Sequence, residues 1–153
     1  GDPERIVVGL GPGSYAGTRI AIAAAIGLQT ATGSELIGLP SICALPGEAT
    51  EYGVIGDARR QSFYCATIRE RAFVSAPELH SSDEIASWLS AFQHRVYSTE
   101  PLAGFEDVTL AYPSAAILAH LGARSRMAAT PPPILEPIYL REPHITQPKV
   151  SAR

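Results

Sequence analysis

The sequence is poor in the residues that mark cross-linked, membrane-spanning or strongly nucleic-acid-binding proteins. Only two cysteines occur among its 153 residues, and neither Cys43 nor Cys65 belongs to a CxxC arrangement, which excludes a disulfide scaffold and a cysteine-rich metal site. Both lie in apolar surroundings and are expected to be buried, reduced thiols. Long hydrophobic runs are missing as well. The longest apolar stretch, around Ile20 to Leu28, is too short and too rich in Ala and Gly to cross a bilayer. Gly1-Asp2-Pro3-Glu4 lacks the basic and apolar layout of a cleavable signal, so a cytoplasmic protein with no membrane partner is expected.

Positive charge is scarce too. Twelve Lys and Arg stand against fifteen Asp and Glu, a net charge of −3, and the basic residues are scattered apart from Arg59-Arg60 and the Arg69/Arg71 pair. Strong direct RNA binding needs concentrated positive charge to neutralise phosphates, so it is disfavoured for this chain alone. The four histidines, His80, His94, His120 and His144, never approach the spacing that puts two imidazoles on one helix face. A zinc-peptidase site needs such clustered ligands and a carboxylate base, and no metal site is expected.

What remains is 46% hydrophobic, enough to bury one sizeable core or two small lobes. Arg5 to Leu10 is a β-branched run entering the turn Gly11-Pro12-Gly13-Ser14, after which apolar residues recur with helical spacing, a strand, tight loop and helix. Ser14 is the expected N-cap and Gly33 the expected stop. Ile20, Ala23, Ala24, Gly27, Leu28 and Ala31 form a narrow face of small and aliphatic residues. Glu35 to Leu39 reads as a second strand, parallel to the first by the right-handed crossover preference. Pro40 to Ala49 has room for a short helix. Val54 to Asp57, Gln61 to Ile68 and Arg71 to Ser75 read as a β-meander, and Ser81 to Glu84 matches a capping box opening a helix through Phe92. Arg95 to Ser98 reads as a strand, Ser114 to Leu121 as a helix, and the tail from Thr130 as extended. The element order makes this an α/β chain, divided into residues 1–50 and a second lobe at 51–153.

Gly11 to Gly17 brings a strand end, bare amides and a helix N-terminus together, which suits an anion. Gly11, Gly13 and Ser14 are the candidate phosphate-binding residues. The alternative is that these glycines only permit a tight turn. Walker spacing is absent because Gly17 is followed by Thr18-Arg19, and so is GxGxxG. Ser14 also misses the Gly-x-Ser-x-Gly nucleophile elbow, and no Asp and His can be tied to it. Asp57 with Arg59 reads as a strand-end carboxylate pairing with a turn arginine.

Three separated motifs carry a specific likeness. Gly11-Pro12-Gly13-Ser14, then Gly17, Arg19-Ile20 and an Ala/Gly-rich helix come first. Ile55-Gly56-Asp57-Ala58-Arg59-Arg60 with Phe63-Tyr64-Cys65-Ala66 follows, and Pro137-Ile138-Tyr139-Leu140-Arg141 comes last. In this order they resemble the TsaB (YeaZ) family, glycoprotease-like paralogues of TsaD. Gln61-Ser62 departs from the Gly-Glu more usual in that family.

The resemblance implies an actin-like, Hsp70-like, sugar-kinase (ASKHA, ribonuclease H-like) fold. In the family a strand with Ile-Asp-Thr-Ser, a hairpin and a long helix precede the glycine loop. This chain starts just before that loop, so an N-terminally truncated member with an incomplete first lobe is expected. The resemblance also implies a scaffold subunit beside a TsaD-like catalytic paralogue and a TsaE-like ATPase, in threonylcarbamoyladenosine modification of tRNA. It implies no catalytic residue, metal or cofactor of this chain's own. The catalytic paralogue carries its paired histidines where this chain reads Pro40-Ser41-Ile42-Cys43-Ala44-Leu45. The expected partner interface is Arg19, Ile20, Ala23, Ala24, Gly27 and Leu28, whose small residues allow close backbone approach. The alternative is that this face packs on its own sheet. A homodimer is expected for the chain alone. Competing functions are a nucleotide-binding ASKHA-type enzyme using the glycine loop, and a glycoprotease-like metallopeptidase.

Overall fold

A computed structural model describes residues 1–124 and 135–140. β1 (Arg5–Gly9) pairs in parallel with β2 (Glu35–Leu39), from Arg5 opposite Glu35 to Gly9 opposite Leu39. Between them runs α1 (Tyr15–Thr32). Its start and stop are set locally. The Ser14 side chain accepts from the Gly17 amide, and Gly33, at φ 69°, turns the chain left-handed while its N–H bonds to the Gln29 carbonyl.

Only one stripe of α1 faces its sheet. Ile22 and Ala25 are buried against Val8 and Leu36, with Ile6 and Leu10 at the margin. On the sheet's other face lies α3 (Ala115–Arg124), which approaches so closely at Gly122 that a Cβ there would collide with Val7. Arg5 fixes this return by bonding Glu35 at 2.6 Å and donating to the Gly122 carbonyl at 2.8 Å.

The second sheet is built on β3 (Glu51–Asp57) and β4 (Ser62–Arg69), antiparallel from Glu51 opposite Arg69 to Asp57 opposite Phe63. The outer edge of β4 carries both β5 (Ala72–Phe73) and β6 (Glu78–Ser81), one at each end. Along the other edge of β3 come β7 (Val96–Ser98) and then β8 (Thr109–Leu110), both parallel to their neighbours. The short β6 and β8 were not expected from sequence. The helix expected within Pro40 to Ala49 is a single 3₁₀ turn, Ser41–Ala44.

Alternation along β3 and β4 sends side chains to two separate cores. Tyr52, Val54, Tyr64, Ala66 and Ile68 pack with Ile42, Cys43, Leu45 and Tyr97 on one face. Ile55, Cys65 and Val96 pack with Ile85 of α2 (Ser82–Ala91) on the other. The α2 helix crosses β3 so closely that a Cβ on Gly53 would come within 2.6 Å of Trp88. Its start is the expected capping box, with Ser81 and Glu84 bonding each other's backbone amides. Both cysteines are free and buried, and burial pushes each thiol up to about 11. Ile42, Cys43 and Leu45 thus pack in the core of the second sheet, while α3 contacts both the first sheet and the 3₁₀ turn.

Candidate functional site

The carboxyl ends of parallel strands β3 and β7 and the N-terminus of α1 face one another across a cleft of about 730 Å³. Ligand sites in open α/β sheets form at such strand ends. All three sequence motifs reach it. Gly13 and Ser14 come from the glycine loop, Asp57, Ala58 and Arg59 from the β3–β4 hairpin, and Pro137 to Leu140 from the C-terminal motif. Arg141 and His144 lie outside the described residues. Tyr15 and Thr18 beside the glycine loop and Tyr64 of the second motif also line the cleft, with Thr99 and Glu100, which were not singled out from sequence. For Thr99 and Glu100 the available signal was their position just past a strand end.

The glycine loop is held from beneath by Ser41. Its hydroxyl accepts from the Gly11 amide at 3.0 Å, and its own amide donates to the Gly11 carbonyl at 2.8 Å. Gly11 is buried at φ 91°, a conformation that needs glycine. Its amide is therefore committed to Ser41, and the Ser14 hydroxyl to the helix cap. Gly13 is exposed, with open space where a Cβ would stand.

Opposite, the hairpin places Arg59, Arg60 and Gln61 consecutively at φ 65°, 55° and 59°, a strained run for residues with side chains. Asp57 holds the turn by accepting from the Arg59 amide at 2.6 Å and pairing with its guanidinium at 3.3 Å. The Asp57 amide in turn donates to Glu100 at 3.0 Å. The expected carboxylate–arginine pairing is thus present, as part of the turn. Burial pushes the Tyr64 phenol up to about 12, so it stays protonated at neutral pH.

The expected interface residues Arg19, Ile20, Ala23, Ala24, Gly27 and Leu28 all lie on the solvent side of α1. Packing of that face on its own sheet is ruled out, because Ile22 and Ala25 occupy the sheet-facing stripe. Ile20 is 69% exposed and Leu28 56%, with Ile26 and Tyr15 also open. Single exposed apolar residues are ordinary; here they form an open row along one helix.

Among the described residues, none that lines the cleft is a His or Cys. Where the paired histidines of a catalytic paralogue would stand, Ile42, Cys43 and Ala44 are core residues. Among the described residues no three of His, Cys, Asp and Glu gather as a metal site. No described helix is long and apolar enough to cross a membrane.

Residues 1–89 match the family described as TsaD, tRNA N6-adenosine threonylcarbamoyltransferase. The chain belongs to the TsaD family. It is 28% identical over 143 residues to the uncharacterized protein Rv3421c of Mycobacterium tuberculosis, covering 93% of this chain and 66% of that one. The chain therefore spans just under two thirds of that relative's length. A Mycobacterium leprae protein, ML0378, is 31% identical over 83 residues, 54% of this chain and 23% of its own. Among solved structures, a Pseudomonas aeruginosa protein described as similar to the peptidase YeaZ superposes with a TM-score of 0.65 at 21% identity, covering 90% of this chain and 74% of that one. YeaZ of Pseudomonas aeruginosa itself gives 0.61 at 19% identity, over 78% and 66%. This member of the TsaD family thus has the YeaZ (TsaB)-like, ASKHA-type α/β fold expected from its motifs.

Proposed function

We propose that this chain is a non-catalytic scaffold subunit that docks a TsaD-like enzyme through the outer face of α1 and supports threonylcarbamoyladenosine modification of tRNA. The observation that carries the proposal is the open row of aliphatic and small residues on α1, in a chain of the TsaD family whose 40–45 segment is core rather than metal-ligating. Ala and Gly at 23, 24 and 27 let a second helix approach closely, while Ile20 and Leu28 supply apolar area. A TsaE-like ATPase joins the complex, tRNA is met through the partners, and the complex works in the cytoplasm. Without the partner, the same face pairs two copies of this chain.

Ala24→Arg places an unpaired charge at the centre of that contact, and burying such a charge is strongly unfavourable. Sedimentation of the variant with the TsaD-like protein should show two separate species, whereas Ala86→Arg on α2 should leave the complex whole. A complex unaffected by Ala24→Arg would remove α1 as the docking face.

The cleft supports a second reading, a nucleotide-binding protein, because the three motif segments meet there beside a helix N-terminus. Commitment of the Gly11 amide to Ser41 weighs against it. A ligand that binds only the folded state raises Tm. An unchanged Tm in millimolar ATP and magnesium would dismiss this reading.

A further inference from the structure

The C-terminal motif, besides lining the cleft, bridges the two sheets. Residues Leu135–Leu140 run without helix or strand pairing across the junction of the two sheets. At one end Leu135 packs into the first core beside Leu10, filling a slot that exists because residue 38 is glycine. A Cβ on Gly38 would come within 2.7 Å of Leu135 and 2.8 Å of Leu10. At the other end Leu140 packs against the core of the second sheet. Between these anchors the Ile138 amide donates to the Leu10 carbonyl at 2.8 Å, and the Tyr139 ring leans on Tyr15, centroids 5.8 Å apart. The same four residues, Pro137 to Leu140, form one wall of the cleft.

We propose that Leu135–Leu140 is a releasable latch: seated, it fixes the angle between the two lobes and so the width of the cleft, and unseated, it lets the lobes part. Its anchoring supports both halves of this statement. One leucine in each core makes the strap a cross-brace between the two sheets. Yet both leucines are only half-buried, Tyr139 is 41% exposed, and the backbone is held outside any ladder. Segments with few buried contacts and isolated backbone bonds open at lower free energy than ladder strands. The stack also continues outward, since Arg19 lies over the Tyr15 ring at 5.0 Å from its centroid. Seating therefore joins the cleft wall to the first turn of α1. The proposal stands whether or not α1 docks a partner.

Two measurements test it on the full chain. Native-state hydrogen exchange should show the Ile138 amide exchanging through a separate opening, at least tenfold faster than the β3 and β4 amides. Exchange of Ile138 only together with those amides would make the strap an inseparable part of the core and overturn the proposal. Spin labels at Ala31→Cys and Ala86→Cys, one on each lobe, in chains diluted with excess unlabelled protein so that pairing of copies adds no distance, should report a single narrow distance. Adding Leu140→Ala should broaden and lengthen that distance while the β3 and β4 amides stay protected. An unchanged distance with faster Ile138 exchange would show that the strap does not set the lobe angle, and would equally overturn it.

Discussion

Arg71 illustrates how one side chain holds the junction between the sheets. It sits in a left-handed turn at φ 65°, and its guanidinium donates to the carbonyls of Leu45, Gly47 and Cys43, the last two at 2.7 and 3.5 Å. Charged donors to backbone carbonyls are worth more than neutral ones, so Arg71→Ala should lower unfolding stability by about 2–3 kcal/mol in urea titrations. A change below about 0.5 kcal/mol, the size of an ordinary surface substitution, would contradict this role. From sequence Arg69 and Arg71 read as one basic pair by proximity alone. The turn at Glu70 and Arg71 breaks the strand, leaving Arg69 to pair with Glu51 at 2.8 Å on the surface while Arg71 points inward. Buried acids add a pH dependence. Burial raises Cys43 and Cys65 from 9.0 to about 11, and Tyr52 and Tyr64 from 10.0 to about 12. The unfolded chain therefore loses these protons first, and stability should fall as pH rises from about 9 toward 12. A urea midpoint flat across that range would contradict the burial of these groups.

At the scale of elements, the strongest sequence signals were local ones. The caps at Ser14, Gly33 and Ser81 fix α1 and α2 by backbone bonds to near neighbours, and they are found where the residue types place them. Ser81→Ala should cost about 1 kcal/mol and speed amide exchange in the first turn of α2. Exchange there at the wild-type rate would show the cap to be dispensable. The strands β6 and β8 escaped notice because Glu78–Ser81 and Thr109–Leu110 have no alternation of their own and form by completing the edges of β4 and β7. The long α1 helix was legible in extent but left two uses open for its Ile20-to-Leu28 face. Nearly every position from Ile20 to Leu28 is apolar or small, so periodicity alone cannot say which stripe meets the sheet. Packing chose Ile22 and Ala25, and the stripe read as a small-residue face was left to solvent.

For the whole molecule, two sheets with separate cores are joined by the 3₁₀ turn, by the return of α3 and by the strap at Leu135–Leu140. The cleft between them could be read only in pieces, since residues 13–18, 57–64, 99–100 and 137–140 meet through tertiary folding and no spacing rule links them. The proposed docking surface for a TsaD-like enzyme is the solvent face of α1. Light scattering after size-exclusion chromatography, on this chain alone and mixed with the TsaD-like protein of its own organism, tests that claim most directly. A stable mixed complex is expected, with the pairing of copies of this chain lost as the partner takes the face. A chain that elutes unchanged beside an unbound partner would contradict it.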